Sequence, residues 1–138
     1  MKAEKYEFLE HTADIKFRAF GKILEEIFNN SALALNDIIK GKIKIKSKIE
    51  KSFIIKGEDN MELLYNLLEE ILYLLDAEDF LMSKIKIKLV NKNKLDVKIS
   101  GDKASNYKFT NNVKAVTYNE MFVKKDKNKW IAQVVLDV

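Results

Sequence analysis

The longest apolar stretch of the chain, Leu63 to Leu75, is broken by Asn66, Glu69 and Glu70. It is too short and too polar to cross a bilayer. Met61, Leu64, Tyr65, Leu67, Leu68, Ile71, Leu72 and Leu75 recur at helical spacing, so the stretch reads as a helix with a wide apolar arc. Such a helix is expected to be the most central element. Gly57-Glu58-Asp59-Asn60 forms the loop before it, and Asp59 with Glu62 has capping-box spacing. Asp76-Ala77-Glu78-Asp79 ends it. Those acids lack the glycine and the spacing of an EF-hand loop and read as a polar helix exit.

One other segment has a helical period. Leu24, Ile27, Phe28, Ser31, Ala32, Leu35 and Ile38 or Ile39 form one apolar face, with Glu25 and Glu26 in the first turn and Gly41 placed as a C-cap. Elsewhere the period is two. Tyr6–Leu9 reads as a strand, and Ile15, Phe17 and Ala19 alternate with Lys16, Arg18 and Phe20 in the next. Lys42 to Lys56 fits one long bent strand or a hairpin. Phe80-Leu81, Ile85–Val90, the Leu95/Val97/Ile99 face, Val113–Tyr118 and Trp130–Val138 complete the strands, with a turn at Asn91-Lys92-Asn93. Ser100 to Asn106 is the most loop-like stretch. The expectation is an α+β fold: one domain over residues 1–138, a mostly antiparallel sheet, and two helices packed on one face.

Composition excludes several chemistries. There is no cysteine, so neither a disulfide framework nor a thiolate site is available. A single histidine rules out a multi-histidine zinc site within one chain. No phosphate-binding or dinucleotide fingerprint and no nucleophile motif is present, so an independent enzyme is not expected. The charged N-terminus carries no signal peptide, and a cytoplasmic protein without membrane attachment follows as the default. Net charge is +4 and the pI about 9.1. That raises RNA as a direct partner, but Arg18 is the only arginine, and lysine lacks its bidentate fork. The Lys-Ile alternations at 42–46 and 84–88 read as a solvated sheet face. A lysine-rich, cysteine-free composition also leans toward heat adaptation.

Two places carry unexplained polarity. Between the first two strands, Glu10, His11, Thr12 and Asp14 crowd together. This is a turn or a site, and as a turn it lacks Gly, Pro and Asn. Thr12 or Asp14 could satisfy local backbone donors. At the other end, Asp137 is penultimate, so its carboxylate lies beside the α-carboxylate of Val138 at the end of an apolar strand. Were Asp14 brought close, three carboxyl groups would converge as an all-oxygen site for a hard cation. On the residues alone, two solvated aspartates are the favoured reading. Lys114, between apolar strand neighbours, reads as a snorkelling or a functional lysine.

The stretch Phe8-Leu9-Glu10-His11-Thr12-Ala13-Asp14-Ile15 resembles the opening signature of the archease family. Leu24–Phe28 with Ala32–Leu35, Leu63–Asp76, Val113–Tyr118 and Trp130–Val138 resemble that family's later segments in the same order, across nearly the whole chain. The resemblance implies an accessory protein of the RtcB-type RNA ligase in tRNA splicing. Such a protein promotes ligase guanylylation and multiple turnover, is not itself a catalyst, and meets RNA through the ligase. It also implies a divalent-metal site at Asp14, Asp137 and Val138, with calcium foremost and magnesium or manganese as alternatives. Lys114, His11 and Thr12 are implied in ligase activation. One position departs: Asn119 stands where the family often has histidine. Two other classes remain: a general chaperone or RNA-modification helper, and a basic RNA-binding module.

Overall fold

The computed structural model describes residues 4–9 and 14–138. Its elements run β1 (Tyr6–Leu9), β2 (Asp14–Gly21), α1 (Leu24–Lys40), β3 (Ile49–Lys56), α2 (Asn60–Glu78), β4 (Phe80–Asn91), β5 (Lys94–Lys103), a short 3-10 turn (Ala104–Asn106), β6 (Ala115–Asp126) and β7 (Lys129–Asp137). The α+β expectation holds, and every strand pairing is antiparallel. The strands divide, however, between two sheets, ordered β1-β2-β7-β6 and β3-β5-β4. Period-two patterning gives a strand one buried face but not the identity of its neighbour, so the division is invisible in sequence.

Both helices pack against both sheets, α1 on β2, β7 and β4, and α2 on β6, β3 and β4. The expectation that α2 is the more central helix is not met. Nine of the seventeen residues of α1 are buried, against eight of the nineteen of α2. Polar side chains fix α1 in this position. Asn30 donates to the Phe20 carbonyl of β2 (2.7 Å), Asn36 to the Met82 carbonyl of β4 (2.8 Å), and Glu25 accepts from the Leu89 N–H (2.7 Å). Each satisfies a backbone group that burial would otherwise orphan. The capping expectation at α2 is half met: Asp59 accepts from the Glu62 N–H (2.8 Å), while the Glu62 carboxylate reaches the Glu58 N–H (3.3 Å).

Two segments differ from the sequence reading. Residues 43–48 join no ladder and form neither a long strand nor a hairpin. They cross the end of the smaller sheet, held by Lys48 N–H to the Gly101 carbonyl (2.8 Å), Ser83 Oγ to the Ile45 carbonyl (2.8 Å) and Lys46 N–H to Tyr107 Oη (3.0 Å). Ser47, which interrupts the isoleucine rhythm, lies within 3.0 Å of Ser83 Oγ and 3.2 Å of Ser100 Oγ. Ser100 to Asn106 is not a loop: β5 runs through Lys103, and only Ala104–Asn106 turns. Here Gly, Asp and Ser serve close packing and buried hydrogen bonds. Asp102 is buried, and the Tyr107 hydroxyl bonded to it (2.7 Å) holds its carboxyl below the usual range.

β1 is tied to α1 by Tyr6, whose hydroxyl donates to Asp37 Oδ2. Burial, then this bond, pushes the Tyr6 pKa up to about 12. A folded-state pKa raised above the unfolded value of 10.0 contributes stability that is present below pH 10 and lost as the pH climbs toward 12. Tyr6→Phe is therefore expected to cost about 1 kcal/mol near neutrality, a difference that closes above pH 10. Denaturant melts of both proteins across that range measure it, and a gap independent of pH would show that the hydroxyl bond is not its source.

Candidate functional site

β2 and β7 pair along their whole length, and the register ends with Asp14 directly opposite Asp137. Residues opposed on neighbouring antiparallel strands hold their Cβ atoms about 5 Å apart on the same face. The face follows from alternation. Phe17 and Ala19 of β2, with Val134 and Leu136 of β7, point into the core, so Asp14 and Asp137 share the face turned away from it. β6 supplies the third strand: Ala115 lies opposite Asp137, and the Lys114 N–H donates to the Asp137 carbonyl at 2.7 Å. Continuing that register by one position sets Lys114 level with Val138. Lys114 and Asp137 are exposed, while Asp14 and Val138 are half-buried.

Of the residues singled out in the sequence, Asp14, Asp137, Lys114 and Val138 thus lie at one sheet corner, the two aspartates on one face and Lys114, in step with the buried Val116, on the other. His11 and Thr12 lie outside the described residues. Carboxylate oxygens on opposed strands are the donor type a hard divalent cation takes. Among the described residues no three Asp, Glu or His side chains cluster.

The corner continues into a bulge of β6. The register shifts between Thr117 and Phe122, and Glu120 there takes a left-handed conformation, φ 54°. Its carboxylate accepts from Lys16 Nζ at 3.1 Å, and its carbonyl accepts from Gln133 Nε2 at 2.8 Å. Lys16 lies two residues from Asp14 and therefore on the same face. Strand alternation in the sequence could have found Lys16; nothing in the sequence marks the bulge that brings Glu120 to it. The same bulge exposes Asn119 and stacks Tyr118 on Tyr65 of α2, with ring centroids 4.2 Å apart and planes 9° from parallel. The pKa of Tyr65 is raised by its bond to Glu69, and that of Tyr118 by burial and by Glu62, Asp59 and Glu69.

A cleft of about 840 Å³ lies at the opposite end of β2, around Phe20, Gly21, Glu26, Lys127 and Lys129. It holds none of the residues at the Asp14–Asp137 corner.

Residues 6–138 match the model of the archease protein family (MTH1598/TM1083). The chain belongs to the archease family. Its relatives include an archease of Pyrococcus furiosus, 40% identical over 97% of this chain and 99% of the relative. An archease of Methanosarcina mazei is 36% identical over 98% and 97%. The solution structure of protein 1598 of Methanobacterium thermoautotrophicum superposes with a TM-score of 0.81 at 33% identity, covering 97% of this chain and 99% of that one. A crystal structure from Thermotoga maritima, described as an archease and possible chaperone, shares the fold at a TM-score of 0.68 and 22% identity, covering 100% of this chain and 98% of that one. No helix among the described residues is long and apolar enough to cross a membrane.

Proposed function

We propose that this archease is an accessory protein of an RtcB-type RNA ligase, acting in the cytoplasm to promote ligase guanylylation and repeated turnover in tRNA splicing. It would not be a catalyst itself. Family membership supports the reading, and the observation that carries it is the strand register that sets Asp14 opposite Asp137 beside Lys114. Asp14, Asp137 and the oxygens of Val138 would hold a divalent cation, calcium first, with magnesium or manganese as alternatives. Bound there, the cation would neutralise phosphate charge, the main requirement of phosphoryl transfer. The protein's own residues set the remaining terms. β2 and β7 hold the two carboxylates on a rigid ladder. The Lys16–Glu120 pair borders them on the same face. The exposed Lys114 ammonium is free to meet a phosphate or a carboxylate of the ligase.

The test is RNA ligation with ligase limiting, GTP and manganese present, and this protein added or omitted. Many turnovers only in its presence support the reading, and unchanged turnover of a cognate ligase would sink it. A general chaperone would instead suppress aggregation of unrelated clients without metal.

A further inference from the structure

The smaller sheet turns one face to the core and the other to solvent. Ile49 and Ile55 of β3, Leu95, Val97 and Ile99 of β5, and Ile87 of β4 pack inward. Alternation then places Lys56 of β3, Lys94 and Lys98 of β5, and Lys84, Lys86 and Lys88 of β4 on the outer face. In register, Lys86 stands opposite Lys98, and Lys56 opposite Lys94. Like charges directly opposed across a ladder destabilise it. Among the described residues none of these six lysines is in an ion pair, and only Asp96 and Glu50 bring negative charge to the face. Between the strands lies a shallow groove of about 340 Å³, lined by Lys84, Lys86 and Lys98, the hydroxyl residues Ser52 and Ser100, and one acid, Glu50.

The opposite charge is segregated to the other layer. From Gly57 to Ser83, a stretch that includes all of α2, there are eight acids and no basic residue. A long anion is therefore attracted to one side of the domain and repelled from the other. The outer face holds no aromatic side chain to stack a base and no arginine to read one. Along β4 the lysine positions repeat about every 6.7 Å, and the opposed pairs Lys86–Lys98 and Lys56–Lys94 stand about 4.8 Å apart across strands. That array suits an anion whose charge repeats at short intervals.

We propose that the outer face of the three-stranded sheet binds the phosphate backbone of nucleic acid without reading its sequence. The ligase reading reaches RNA only through the ligase; this face would contact the strand directly, and the proposal stands whether or not the ligase reading does. The experiment uses the full chain alone, with fluorescence anisotropy of a labelled single-stranded RNA of mixed sequence at about 50 and about 200 mM salt. Lys84→Gln, Lys86→Gln and Lys98→Gln together are expected to weaken binding by about tenfold or more. The same variant should flatten the salt dependence by about 2 in log–log slope, three phosphate contacts at about 0.7 each. A charge-matched variant on other surfaces, Lys22→Gln, Lys108→Gln and Lys125→Gln, should keep most of the affinity. Three results would overturn the proposal: no binding by the wild type at low salt, equal loss in both triple variants, or equal binding of polyglutamate, which would make the occupant an acidic polypeptide.

Discussion

Asp137→Ala is expected to reduce ligation with limiting ligase to the level seen without this protein, while leaving the melting temperature unchanged. The two halves of that result rest on different facts. Asp137 is exposed at the last position of β7, and its backbone, not its side chain, makes the bond to Lys114. Truncation leaves the ladder intact, because the bond to Lys114 is made by the backbone, so little change in stability is expected. The functional loss follows because a single remaining aspartate cannot hold a hard cation that takes six or more oxygens. A second readout separates site from ligase. Calcium at a hundredfold excess over its dissociation constant should stabilise the wild type by about 2.7 kcal/mol and the variant hardly at all. Loss of turnover with a collapsed melting temperature would make Asp137 structural. Retained calcium stabilisation in the variant would place the cation elsewhere.

The pieces of this corner were legible in the sequence to different degrees. Asp14 and Asp137 stood out because each interrupts or ends an apolar alternation, and the archease resemblance joined them. Their opposition depends on β2 pairing with β7 across most of the chain, and strand partnership is a property of the sheet rather than of either strand. Both helices were legible because a 3.6-residue apolar period is a local signal. Their ranking was not: α1 is central because Asn30, Asn36 and Glu25 tie it to two sheets, and in the sequence Glu25 reads only as a first-turn acid and the two asparagines carry no local signal. The Lys-Ile run at 42–46 shows the converse error. Its alternation is real, with Ile45 packed against the core, but serine and tyrosine side chains and one carbonyl of β5 take the place of a ladder.

Gly101→Ala is expected to be the most destabilising single-methyl change in the chain, at about 3 kcal/mol, the upper part of the range for overpacking. For a domain of this size that is a fall of roughly 10 °C in melting temperature. The reason is close approach rather than conformational freedom. Gly101 is buried in the middle strand of the smaller sheet, level with Ile49 on one side and Met82 on the other, where β4 carries a bulge. A Cβ there would overlap the Leu81 carbonyl oxygen and come within 2.9 Å of the Phe80 ring. A carbonyl in a ladder cannot step aside as the end of a flexible side chain can, so β4 and β5 must separate. Gly41→Ala is the contrast. That residue has φ 66° with open space around its missing Cβ, so the cost there is backbone strain of about 1–2 kcal/mol. Thermal melts of the two variants order these mechanisms, and equal shifts would mean that β4 yields at its bulge. The comparison also bears on the Ser100–Asn106 stretch. If its Gly and Ser formed an anion loop, Gly101→Ala would weaken binding and spare the fold. Seated under Leu81, it should destabilise the fold and leave ligase activation intact at temperatures where the sheet survives.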